Sequence, residues 1–314
     1  MTSYRIGPLL LSSNRPLPEV PRAPSAEPDW HFHVCRTPPR ARRDAAWFHC
    51  WRLPDGRVWL SLGRREREYL LRFTRLADFV LNEDDRRIDC YPVARTAPAT
   101  VRHLLLDQVM PLVFSARPSL VLHASAVRAP AGAVGFVGLA GAGKSTLAVS
   151  LARTGWDLVS DDCLLLDADG RGVRAMPTYP SARLWDDSLR ALYGTAPGRL
   201  APVAQYTRKR RLGPGTGRFR FCEEPLPLVR LYVLTPGRRA AAGGRLTGIS
   251  RREAMVELLR FTFHLDVTDA EALAVRFRLA GQVAGQVAIR ALALPSGLDG
   301  LVSVRRLLED DLKM

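Results

Sequence analysis

The sequence predicts two domains, a smaller, mainly β N-terminal domain over 1–117 and an α/β domain over 118–314, on three observations. The chain has 314 residues, 47% of them hydrophobic, enough for two cores at roughly 100 to 200 residues per domain. Short runs rich in alternating apolar and polar residues, separated by turn residues, occupy the stretch from Trp30 to Phe73. From Leu120 the pattern changes to apolar strand, glycine-rich turn, helix and strand, which marks an α/β layer.

The chain up to about Pro39 is rich in proline and polar residues, yet Trp30-His31-Phe32-His33-Val34-Cys35 alternates as a strand does. Further strands are expected at Ala46 to Leu53, Val58 to Leu62 and Glu68 to Phe73, with Pro54-Asp55-Gly56 as the hairpin turn between the first two. Trp30, Phe32, Trp47, Phe48 and Trp51 read as the core of this small antiparallel sheet, with a peptide groove as the other use of such a surface. His31, His33 and Cys35 fall on one face of a strand, and His49-Cys50 on a presumed neighbour, so a zinc site can be imagined there. No recognised ligand spacing supports it, and packed strand residues are the expected reading.

Ala97 to Phe114 carries apolar residues at helical period, and Leu120 to Val127 reads as one buried strand with His123 inside it. A strand at Val134 to Val137 and a turn from Gly138 lead into a helix from Ser145 to Arg153, stopped by Gly155, and then a strand at Trp156 to Ser160. Leu228 to Leu234 is a further strand, and Ser250-x-x-Glu253 is a capping box opening a helix to about Phe263.

Lys and Arg total 46 against 31 Asp and Glu, a formal charge of +15. Lysine occurs only at Lys144, Lys209 and Lys313, and the 43 arginines are scattered through every segment rather than gathered in one stripe. That distribution argues against a nucleic-acid partner. The five cysteines are widely spaced with no C-x-x-C pair, which excludes a disulfide framework. No signal peptide is indicated, and no apolar run approaches the ~18 residues of a spanning helix. The expectation is a cytoplasmic protein with no membrane partner.

Gly138-Leu139-Ala140-Gly141-Ala142-Gly143-Lys144-Ser145 matches G-x-x-x-x-G-K-[ST] between a strand and a helix. Glycines let backbone N–H groups converge on phosphate oxygens, and the helix N-terminus adds positive potential. Gly138, Ala140, Gly141, Ala142, Gly143, Lys144, Ser145 and Thr146 are therefore the candidate cofactor-binding residues, for ATP, with Lys144 reaching the β/γ-phosphates and Ser145 facing Mg²⁺. Asp161 and Asp162 end the next strand, where one carboxylate can serve Mg²⁺ and the other can accept a proton from an attacking hydroxyl.

His123 in Leu122-His123-Ala124, the loop Gly138 to Ser145 and the pair Asp161-Asp162 together resemble the HPr kinase/phosphorylase catalytic domain, and most closely its relatives in lasso-peptide biosynthetic clusters. The resemblance runs more weakly through Pro177-Thr178-Tyr179-Pro180, Arg183-Leu184-Trp185 and the run Lys209-Arg210-Arg211-Leu212. It implies a P-loop α/β kinase domain using ATP and Mg²⁺, with Asp161 as base, His123 beside the phosphates, and Asp162 with Ser145 at the metal. It further implies a serine hydroxyl of a peptide or small protein as acceptor, a lasso-type precursor first among them. Arg183, Lys209, Arg210 and Arg211 are candidate acceptor-binding residues, suited to a carboxylate or the transferring phosphate. The Glu-x-Arg-Gly signature of HPr kinases is missing, and Ser145-Thr146 stands where they carry Ser-Glu, which points away from phosphorylase activity and from HPr itself. A nucleotide-binding regulator without an acceptor and a small-metabolite hydroxyl kinase remain alternatives, and a homo-oligomer is open.

Overall fold

The computed structural model describes residues 1–23, 27–36, 45–194, 200–235, 243–295, 297 and 300–313. Pro39, where the polar lead segment was expected to end, lies outside them. The chain forms two compact units, Met1–Leu106 with Val203–Thr207, and Asp107–Pro202 with Arg208–Met314.

The first unit is an eight-stranded sheet of β1 (Thr2–Ile6), β2 (Leu9–Ser13), β3 (Trp30–Val34), β4 (Ala46–Arg52), β5 (Val58–Arg65), β6 (Glu68–Phe73), β7 (Ala77–Asn82) and β8 (Arg87–Pro92), in the order β1-β2-β3-β8-β7-β6-β5-β4. Its pairs are antiparallel except β2–β3 and β3–β8. Ile6, Leu11, Phe32, Leu62, Phe73 and Phe79 are buried, with Phe73 edge-on to Phe79 at 5.7 Å. Trp30 and Phe32 join this core as expected, but the β4 aromatics do not. β4 is the edge strand with a register shift between Trp47 and His49, leaving Trp47 41% exposed and Phe48 and Trp51 half-buried. The imagined zinc cluster also dissolves, because β8, β7, β6 and β5 separate β3 from β4. His31 meets Ser12, and His33 meets Asp89. Among the described residues no group of three or more His, Cys, Asp or Glu is placed to hold a metal ion.

Helix α1 (Pro98–Leu104) and helix α2 (Met110–Ser115) replace the single expected helix, with a π-helical turn at Leu105–Val109 between them. Pro111 has no N–H for a carbonyl one turn earlier, which accounts for the widened turn before it. Asp107 belongs to the second unit, where Tyr179, Arg183 and Arg211 hold its carboxylate. The division therefore falls ten or so residues before the expected 117/118 boundary.

The second unit contains β9 (Leu120–Leu122), β10 (Ala124–Ala129), β11 (Gly132–Val137), α3 (Lys144–Ala152), β12 (Asp157–Ser160), β13 (Leu164–Asp169), β14 (Gly172–Met176), β15 (Ala182–Leu184), α4 (Asp186–Tyr193), β16 (Arg210–Leu212), α5 (Pro214–Gly217), β17 (Arg220–Phe221), β18 (Leu226–Leu234), β19 (Arg245–Gly248), α6 (Arg251–Arg260), α7 (Ala270–Gln286), β20 (Ala288–Ala293) and α8 (Leu301–Leu312). Its main sheet runs β17-β12-β10-β11-β18-β14-β13-β9, with β20 added on β18 and β19 on β20. β11 is buried on both faces, which explains its unbroken apolar sequence. Val134 and Phe136 pack with Leu147 of α3 and Val304 and Leu308 of α8, while Ala133 and Val137 pack with Leu258 of α6 and Ala280 and Val283 of α7. Helices thus cover both faces of the sheet. Among the described residues no helix is long and apolar enough to cross a membrane.

Candidate active site

β10 lies between β11 and β12 and is antiparallel to both, so β11 and β12 run the same way. Their carboxyl ends and the amino end of β10 therefore share one edge of the sheet. The expected strand Leu120 to Val127 is broken at that edge: β9 pairs with β13, β10 pairs with β11 and β12, and His123 stands at the break. The His123 N–H donates to the Phe261 carbonyl at 2.7 Å, which satisfies a group that has left the ladder.

The loop after β11 is shaped by left-handed glycines, with φ of 83° at Gly141 and 98° at Gly143, the residue that caps α3. A Cβ on Gly143 would meet the Leu294 side chain at 3.1 Å. The Ala142 N–H closes the loop onto the Leu139 carbonyl at 3.1 Å. The first N–H groups of α3 have no intrahelical acceptor and carry the positive end of the helix dipole. Lys144 is buried, and its ammonium donates to the Gly138 and Leu139 carbonyls at 2.7 and 3.1 Å. Burial pushes its pKa down to about 8, with Asp161 pulling the other way. A buried cation resting on neutral carbonyls beside amide donors fits a phosphate chain. Ser145 is half-buried on the first turn, and the Thr146 hydroxyl meets Ser188 of α4 at 3.0 Å.

Asp161 is buried, with one carboxylate oxygen accepting from the Ser125 hydroxyl at 2.6 Å and the other from the Arg183 backbone N–H at 2.9 Å. Asp162 has φ of 63°, a left-handed conformation that aspartate tolerates better than most residues. Its carboxylate is paired with the Arg183 guanidinium, and its carbonyl lies 3.2 Å from His123 Nδ1. A carbonyl only accepts, so Nδ1 carries the proton and Nε2 presents a lone pair. Burial, reinforced by Lys144, Arg183 and Lys209, pushes the His123 pKa down to about 3, so the imidazole is neutral and supplies no positive charge. The edge of Phe263 covers its ring, at 6.0 Å between centroids.

The residues expected to bind an acceptor divide. Arg183 is buried and spans Asp162 and Asp107, the latter at 3.3 Å. Arg211 donates to Asp107 at 2.9 Å and to Ser181 at 3.0 Å, so it too belongs to this buried network. Arg210 is turned to Asp186 and the Leu200 carbonyl. Lys209 is half-buried with its ammonium 5.5 Å from the centre of the exposed Trp185 ring. Burial lowers its pKa, Arg183 lowers it further, and Asp161 and Asp107 oppose them. Sequence reasoning missed Ser125 and Asp107, and named Tyr179 only within the resemblance without a role. Each had a signal: a hydroxyl inside an apolar strand, an acid inside an apolar helical run, and a tyrosine in a Pro-Thr-Tyr-Pro segment.

Ser145 offers a hydroxyl of the kind a hard cation takes, whereas the Asp162 carboxylate would have to give up the Arg183 guanidinium to join it. The site as a whole is an edge of the α/β sheet that gathers a glycine-rich loop, a buried lysine and two carboxylates. No family model matches the chain, and no curated protein matches it. Among solved structures, the HPr(Ser) kinase/phosphatase from Coxiella burnetii is similar over 62% of this chain and 99% of that chain, at 14% identity and a TM-score of 0.31.

Proposed function

We propose that the protein is a Mg²⁺-ATP-dependent kinase that moves the γ-phosphoryl group to a serine hydroxyl of a peptide or small protein, with a lasso-type precursor peptide as the first candidate acceptor. The observation that carries this reading is the placement of β10 between β11 and β12, which brings the Gly138–Lys144 loop, the Asp161 carboxylate and the His123 ring to one edge. The loop amides and Lys144 hold the phosphates, and the reaction then rests on positioning and charge. The acceptor oxygen attacks the γ-phosphorus, its proton passes to Asp161, and the bond from phosphorus to the β–γ bridging oxygen breaks, releasing ADP. Asp161 is held for that role by Ser125 and the Arg183 N–H. Ser145 and Asp162 would hold Mg²⁺, which neutralises charge on the β- and γ-phosphate oxygens. His123 is neutral and offers Nε2 as an acceptor.

The test incubates the protein with Mg²⁺-ATP and a precursor peptide encoded beside its gene, and reads the peptide mass. The expected result is a phosphoryl increment that Asp161→Asn abolishes while ATP binding persists, and that Lys144→Ala loses together with ATP affinity. ATP binding with no acceptor modified identifies a regulator, and transfer to a small metabolite with indifference to peptides identifies the other kinase. Either result overturns the peptide reading.

A further inference from the structure

The outward face of the α6–α7 pair carries an open groove of about 800 Å³. Met255, Phe277 and Gly281 line it together with Arg251, Arg252 and Arg278. Phe277 is 59% exposed, a large ring left in water next to three cations. Arg251 is fixed by donating to the Gly281 carbonyl at 3.1 Å. Arg252 and Arg278 are exposed and form no ion pair among the described residues.

We propose that this groove docks an acidic peptide segment that carries one aromatic anchor side chain. Carboxylates of the segment meet the three arginines, whose planar forks suit them, and the anchor covers Phe277 and Met255. A second copy of the chain is a poor occupant, since a two-fold contact would bring both sets of arginines together. A nucleic acid is disfavoured by an apolar lining where a charged stripe is needed.

The groove is joined to the phosphate-binding edge through α6. From Met255 to Phe261 the helix advances about 9 Å, and there the Phe261 carbonyl accepts from the His123 N–H while Phe263 packs against the His123 ring. An extended peptide crosses that distance in roughly three residues. Resting on the kinase reading, the docked segment recruits the acceptor, and the phosphorylated serine lies at least about three residues from the anchor.

The probe is a fluorescein-labelled peptide with one tryptophan flanked by glutamates, titrated into the full chain and read by anisotropy. Saturable binding is expected, weakened at least about tenfold by Phe277→Ser, by Arg252→Glu combined with Arg278→Glu, and by glutamine in place of the glutamates. The exposed substitutions are expected to leave the thermal midpoint unchanged. Absence of saturable binding, or binding indifferent to both variants, overturns the proposal. So does tighter binding of a single-stranded oligonucleotide of equal charge that both variants abolish. Lys144→Ala is expected to keep peptide binding. Wild type that binds the peptide but not ATP refutes the kinase reading alone, whereas transfer without peptide binding refutes the groove alone.

Discussion

Replacing Ser125 by alanine removes one of two donors that fix Asp161. The hydroxyl is fully buried on β10 and lies 2.6 Å from the carboxylate, whose other oxygen accepts from the Arg183 N–H at 2.9 Å. A hydrogen bond to a charged group contributes about 1.5–3 kcal/mol. If that bond orients the base as the acceptor proton leaves, its loss reduces kcat about 10- to 100-fold, at 1.36 kcal/mol per tenfold. On the kinase reading ATP affinity depends on the loop and Lys144, which form no hydrogen bond with Ser125 among the described residues, so it is expected to stay within about twofold. Steady-state phosphoryl transfer gives kcat, and calorimetric titration gives ATP affinity. Ser125→Thr keeps the hydroxyl on a strand that accepts β-branched residues, and is expected to recover most of the rate. An unchanged kcat in Ser125→Ala refutes the reasoning. A fall in kcat matched by equal falls in ATP affinity and thermal midpoint refutes it as well, because Ser125 would then be only a packing residue.

Asp311 on α8 is buried, accepts from Tyr232 Oη at 2.6 Å and is ion-paired with the guanidinium groups of Arg230, at 2.9 Å, and Arg290. Asp311→Ala leaves those donors without their shared acceptor and is expected to cost about 3–5 kcal/mol, read as a lower urea midpoint for the second unit. His264 has its pKa lowered to about 4 by burial and by Arg276. Between about 4 and 6.5 the unfolded chain binds more protons at this residue than the folded one, so stability falls as pH drops through that window. His264→Gln is expected to flatten that part of the denaturation-midpoint profile against pH, and an unchanged slope would exclude His264 as its source.

The parts of the fold legible in the sequence are those specified locally. The glycine-rich loop declares itself because its φ values demand glycine, and the Ser250 cap because its partner Glu253 is three residues away. β3, β5 and β6 show in alternation because each has one face more deeply buried than the other. β1 and β2 did not show: Thr2–Ile6 is short and polar at its start, and Leu9–Ser13 is apolar at first and polar at its end. What places them is pairing, with β2 lying parallel to β3 across a long loop. The break at His123 was hidden for the same reason, since no local feature distinguishes it from the interior of one strand. Only the tertiary bond to Phe261 and the two different sheet partners on either side define it.

The adjacent acids Asp161 and Asp162 show how backbone conformation separates two like residues. Successive side chains in an extended strand point to opposite faces, which would put one carboxylate in an apolar layer. The strand instead ends at Ser160, and Asp162 turns into the left-handed region. Asp161 keeps its oxygens on Ser125 and the Arg183 N–H, while Asp162 turns its carboxylate to the Arg183 guanidinium and its carbonyl to His123. Arg183 is thus shared by its backbone with one acid and by its side chain with the other, and Asp107 and Arg211 extend that network from behind. The consequence is physical: among the described residues Asp161 is held by hydrogen bonds with no cation in contact, whereas Asp162 has one. Two acids that are interchangeable in the sequence therefore differ in charge balance, and on the kinase reading the one with no cation in contact is the better placed to take a proton.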